Sequence, residues 1–152
     1  MKIFHSLAEA DPSVASVVTV GNFDGVHRGH QAIMSVVRSR AAQLGVQSAA
    51  ITFEPHPLTC ISPDRAPTPI STLEQKTCLI EEAGIDVLLI QQFTEEFSRL
   101  SAEAFIEKYF VSGLNVQSLC VGQNFRFGHR HRGDIHTLRA SKFDFEFANR
   151  YS

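Results

Sequence analysis

What is missing sets the first bounds. No stretch approaches the roughly 18 apolar residues needed to span a bilayer, and the opening MKIFHSLAEADPS carries no apolar segment of the kind a secretory leader needs. A cytoplasmic protein with no membrane partner is the expectation. An excess of one charge is missing too: 14 Lys and Arg against 16 Asp and Glu leave a formal net charge of -2, so nothing draws the whole surface to nucleic acid. An anion site must then be local. Cysteine is sparse, and Cys60, Cys78 and Cys120 are odd in number and far apart, which fits neither a disulfide framework nor a paired zinc knuckle. They read as reduced thiols in or near the core. Repeats, low-complexity tracts and linkers are also lacking, so residues 1–152 are expected to form one domain.

What is there is an alternation of strands and helices. Val17 to Val20 is a short β-branched run that ends in glycine, as a buried strand does. Ile33, Val36, Val37, Ala41 and Leu44 follow at helical spacing, with Gly45 as the closing residue. Ala49 to Phe53 reads as a second strand. Ser71 or Thr72, with Glu74 or Gln75, forms a capping box for a helix that runs to Gly84. Val87 to Ile90 is a third strand, Ser101 caps a helix lined by Phe105, Ile106, Tyr109 and Phe110 up to Gly113, and Ser118 to Val121 is a fourth strand. Phe143, Phe145 and Phe147 alternate with polar residues as in a strand at a sheet edge. This order predicts an α/β fold with a doubly wound, mainly parallel sheet.

Two connections are long for such a fold. Residues 54–71 hold Pro55, Pro57, Pro63, Pro67 and Pro69, and residues 122–133 hold three glycines, three arginines and two phenylalanines. Long loops in compact domains are often functional. Both follow a strand, as does the turn after Val20, so all three are expected at the carboxyl edge of the sheet, where α/β folds bind ligands.

The turn after Val20 is the densest in chemistry: VGNFDGVHRGHQAI places Gly21, Gly25 and Gly29 around Asp24, His27 and His30. Glycines permit close approach and positive φ, and the following helix start offers free N–H groups to a phosphate. Two histidines three apart can face one anion together. The spacing matches neither the dinucleotide fingerprint nor the P-loop. A zinc site would need a third ligand, from His56, His129 or His131, and zinc helices usually space histidines by four; the identity of any metal ligand stays unknown. Phe23 suits either a core hinge or a site residue, and Asp24 suits a turn that accepts backbone N–H bonds.

GNFDGVHRGH resembles the HxGH signature of the nucleotidyltransferase superfamily, in the form found in the FMN adenylyltransferase module of bacterial FAD synthetases, which is often fused to a riboflavin kinase. FEPHP at Phe53 to Pro57, FTEEFSRLSAEAFIEKYF at Phe93 to Phe110 and VGQNFRFGHRHRGD at Val121 to Asp134 are similar to the same family, in the same order. The resemblance implies a Rossmann-like nucleotidyltransferase fold and a reaction, FMN plus ATP giving FAD and pyrophosphate with Mg2+. It implies an ATP side at Gly21, Asn22, Phe23, Asp24, Gly25, His27, Gly29 and His30, with His27 and His30 catalytic through charge stabilisation. It implies an FMN side at Phe53, Pro55, His56, Pro57, Asn124, Phe125, Arg126, Phe127 and Arg132, where flat rings suit the isoalloxazine and arginine forks suit phosphate.

Two departures stand out. Many members have Asp where Asn124 stands, and members carry a Ser-Ser-Thr-x-x-Arg type segment beyond the FDFEF strand, expected at the ATP phosphates, whereas this sequence stops at Ser152 before such a segment and before any kinase domain. Three alternatives remain open at this point. They are a module that binds flavin or nucleotide without transfer, an HxGH turn that serves another phosphorylated acceptor, and an aromatic and basic loop that binds single-stranded RNA.

Overall fold

A computed structural model of the chain describes residues 1–23, 28–54, 64, 72–121 and 146–147. Its centre is a six-stranded sheet in the order β1-β4-β3-β2-β5-β6, parallel at every pairing. The strands are β1 (Lys2–Phe4), β2 (Ser16–Val20), β3 (Gln47–Glu54), β4 (Val87–Gln92), β5 (Val116–Leu119) and β6 (Glu146–Phe147). Between them run α1 (Arg28–Leu44), α2 (Leu73–Glu82), the short α3 (Glu95–Ser98) and α4 (Ala102–Phe105), which passes directly into a π-helix at Ile106–Gly113.

The α/β expectation holds. All five residues of β2 are buried, which is what a parallel strand covered on both faces requires. Alternate residues of the central strands feed two cores. Val18, Val20, Ala49, Ile51 and Leu89 pack with Phe105, Ile106, Tyr109 and Phe110, whereas Val17, Ala50, Leu88 and Ile90 pack with Met34, Val37 and Ala41 of α1 and Ile80 of α2. The sheet is thus sandwiched between α1 with α2 and α4 with the π-helix.

The local signals read from sequence account for most of the boundaries. Gly45 and Gly84 take positive φ, +67° and +87°, just beyond α1 and α2, where a left-handed residue ends a helix at least cost. Thr72 caps α2, accepting from Gln75 N while the Gln75 side chain accepts from Thr72 N. Other boundaries differ. The fourth predicted strand starts two residues earlier, at Val116, because Asn115 at φ +47° turns the chain into it and the Ser16 amide bonds Asn115 O. The single helix expected from Ser101 to Gly113 is α4 plus π-helix, and β1, α3 and a 3₁₀ turn at Leu7–Glu9 are additional. Glu146–Phe147 does pair at the edge beside β5, while Phe143 and Phe145 lie outside the described residues.

Candidate functional site

Strand order positions the site. The chain runs outward from β2 through β3 to β4 on one side, then crosses to β5 and β6 on the other, so the direction of winding reverses between β2 and β5. Open α/β sheets form their ligand crevice at such a reversal, beyond the carboxyl ends of the strands. The glycine turn leaves β2, the proline loop leaves β3 and the aromatic-basic loop follows β5; these strands are adjacent and parallel. Their carboxyl ends therefore bring the starts of the three segments side by side.

Residue by residue, the turn can be followed up to Phe23 and again from Arg28. The Gly21 amide donates to Ile51 O at 3.0 Å, extending the ladder one residue past β2. A Cβ on Gly21 would lie 3.1 Å from two ring carbons of Phe23, so the glycine serves here to admit a ring. The left-handed backbone expected of a glycine falls on Phe23 instead, at φ +52°. A non-glycine residue there stores on the order of 1–3 kcal/mol. Packing holds it: the ring is 3% exposed and meets the His30 ring edge-on, centroids 5.3 Å apart. His30 sits in the first turn of α1, and a helix start is the kind of place where anions are bound. Gly29 is part of the same helical turn.

One carbonyl ties the turn down. Asn22 O accepts from Lys76 Nζ at 2.9 Å and from Thr52 Oγ1 at 3.1 Å. Lys76 is 7% exposed, a position lysine rarely takes unless paired. A hydrogen bond from a charged donor is worth about 1.5–3 kcal/mol, comparable to the strain carried by the next residue. Neither Lys76 nor Thr52 was singled out from sequence. A signal existed: Lys76 occupies the stripe that continues through Ile80 and Ala83, where the helical period calls for an apolar side chain. The Asn22 side chain adds an oxygen, Oδ1, that is buried and, among the described residues, accepts no hydrogen bond.

On the other side, Phe53 near the carboxyl end of β3 is half-buried and packs against Phe93 and Phe97, ring centroids 5.8 and 5.9 Å away. The cluster continues through Phe105 stacked on Tyr109 at 4.8 Å. Tyr109 Oη donates to Gln91 Oε1 at 2.6 Å, and burial pushes its phenol up to about 12. Asp24, Gly25, His27, Pro55, His56, Pro57, Asn124, Phe125, Arg126, Phe127 and Arg132 lie outside the described residues. Among the described residues no three His, Cys, Asp or Glu side chains gather as a metal site, and no helix is long and apolar enough to cross a membrane. Cys78 is an exposed free thiol; Cys120 is buried and pushed up to about 11 by desolvation, while Cys60 lies outside the described residues.

The winding reversal places a crevice beside the glycine turn. The model of one protein family, FAD synthetase, matches residues 10–150. The chain belongs to the FAD synthetase family. It is 36% identical over 143 residues to the bifunctional riboflavin kinase/FMN adenylyltransferase of Escherichia coli K12, covering 94% of this chain and 45% of that protein. It is 43% identical over 123 residues to the Pseudomonas fluorescens protein of the same description, covering 81% and 39%. The chain thus spans about half the length of the curated relatives it matches. The fold is also that of a crystal structure described as a macrolide-efflux protein from Streptococcus pneumoniae, with a TM-score of 0.81 and 22% identity, over 96% of this chain and 49% of the other.

Proposed function

We propose that residues 1–152 form one adenylyltransferase domain that moves AMP from ATP to the phosphate of FMN, giving FAD and pyrophosphate. The observation that carries the reading is the turn between β2 and α1. It sets Gly21, the buried Asn22 Oδ1 with no partner among the described residues, the strained Phe23 and the first-turn His30 in sequence at the winding reversal of the sheet, within a chain of the FAD synthetase family.

The chemistry asks little of a base. The FMN phosphate is already anionic, so its oxygen attacks the α-phosphorus of ATP directly; one O–P bond forms, the bond to the bridging oxygen breaks, and pyrophosphate leaves with its electron pair. The protein must align the two phosphates and stabilise charge as it moves onto the leaving group. His27 and His30, at the start of α1, take that task, helped by the positive end of the helix dipole. Asn22 Oδ1 accepts a hydrogen bond from the nucleotide. Gly21 seats the Phe23 ring behind the nucleotide, and Asp24, Gly25 and Gly29 let the phosphates approach the backbone. Magnesium would arrive with ATP, bound chiefly through phosphate oxygens; the described residues offer it no cage of their own, and Asp24 lies outside them.

The flavin belongs on the β3 and β5 side. Phe53, Pro55, His56 and Pro57 would line one flank, and Asn124, Phe125, Arg126, Phe127 and Arg132 the other, with rings against the isoalloxazine and arginines toward phosphate. A riboflavin kinase domain is the proposed partner in a longer form, since the relatives carry both activities in their descriptions. The site is proposed to work in the cytoplasm. Chromatography of the chain with FMN, ATP and magnesium should yield FAD above a protein-free control. A panel in which FMN is inert while another phosphomonoester is adenylylated would replace the acceptor, and no nucleotide product from a folded chain would leave only binding.

A further inference from the structure

The geometry points to Lys76 as a positioning residue for the nucleotide turn, acting on His30 through the Asn22 carbonyl and the Phe23 ring; the assignment rests on the adenylyl-transfer reading of that turn. Every link is a contact. Lys76 Nζ and Thr52 Oγ1 both donate to Asn22 O, at 2.9 and 3.1 Å. A carbonyl oxygen has two lone pairs, so the two donors fill it and fix the plane of the peptide that joins Asn22 to Phe23. That plane sets the left-handed φ of Phe23 at +52°. The buried ring that follows sits beneath Gly21 and meets His30 edge-on at 5.3 Å.

The origin of the two donors matters. Thr52 comes from β3 and Lys76 from α2, an element with no sequence proximity to the turn. A neutral apolar residue would fill the α2 stripe at less desolvation cost, so core packing alone does not call for an ammonium here. Its charge also lies at the main chain of a turn meant to receive a polyanion. Lys76 therefore couples the seating of α2 on the sheet to the attitude of His30, and does so without touching the substrate.

The test compares the unsubstituted chain with Lys76→Met, which keeps an apolar stem and removes the charge, and Lys76→Arg, which restores a charged donor. One readout is the pair of imidazole nitrogen signals of His30 by NMR; the other is calorimetric titration with magnesium-ATP and, separately, with FMN. In Lys76→Met the His30 signals should shift and ATP affinity should fall by about tenfold or more, the loss expected for a charge-assisted hydrogen bond. FMN affinity should change by less than about twofold, and Lys76→Arg should recover most of the ATP affinity. A lysine that merely supported its helix would move both ligands together or neither. Unchanged His30 signals and ATP affinity in a folded Lys76→Met chain would overturn the proposal. Should that variant fail to fold, Lys76→Gln, also uncharged, is read against the same outcomes. Should the unsubstituted chain bind neither ligand, the adenylyl-transfer reading falls, and the His30 signals alone then decide: a shift reversed by arginine supports Lys76 as the residue that orients His30, and no shift overturns it.

Discussion

The two faces of the sheet solve different problems. The face beneath α4 and the π-helix is closed by rings: Phe97, Phe105, Tyr109 and Phe110 contact one another edge-on or stacked, and its one polar tip here, Tyr109 Oη, is satisfied within the protein by Gln91. The face beneath α1 and α2 admits a lysine, a threonine hydroxyl and an amide oxygen that is unpaired among the described residues, at the carboxyl end of β2 and β3. Buried polar groups cost free energy unless something compensates. Where one face spends its burial on packing and the other on holding a strained turn, the nucleotide side of the site should reside on the second.

The comparison breaks most visibly if a purely apolar substitution on the packing face disturbs ligand binding. Phe110 is 0% exposed among those rings, so Phe110→Ala should cost about 3–5 kcal/mol of stability in denaturant unfolding, while ATP affinity per folded molecule stays the same. His30→Ala is the converse. FAD formation should fall about a hundredfold, as for a lost transition-state donor, with unfolding free energy within about 1 kcal/mol of the parent. A large stability loss and little loss of rate would reverse the roles of the two faces.

Fold and site were legible to different depths in the sequence. The sheet could be read because β2 is a β-branched run and β3 and β4 carry apolar runs too short for helices, and the Thr72 box and Gly84 mark α2 at both ends. The π-helix could not, since Phe105, Ile106, Tyr109 and Phe110 give the same apolar face in an α-helix, and the wider turn leaves no composition signal. β1 is too short, at three residues, to show an alternation. In the site, the glycine turn announced itself by density of chemistry. The tie from Lys76 did not, because it joins residues 54 positions apart, and only a fold brings such pairs together.

Alkaline pH sharpens the contrast, because among the described residues each face carries one group whose proton is held by burial. Cys120, packed with α1, rises from 9.0 to about 11, and Tyr109 from 10.0 to about 12. A raised value in the folded state means the contribution is complete below the unfolded value and disappears as pH climbs through the folded one. Stability should therefore decline first between about 9 and 11 and further between about 10 and 12, in urea unfolding followed across that range. Cys120→Ala should remove the earlier part and Tyr109→Phe the later. The smallest effect is expected at the start of α2: Thr72→Ala removes the cap on Gln75 N and should cost about 1 kcal/mol, with a weak loss of ATP affinity if α2 carries the turn.

The most direct test of the central claim follows the α-phosphorus itself. The chain is incubated with FMN, magnesium and ATP labelled at that position, and the products are separated. If the turn after β2 serves adenylyl transfer, the label appears in FAD and the released pyrophosphate is unlabelled. Label confined to ATP, ADP or AMP, with the flavin unlabelled, would contradict it.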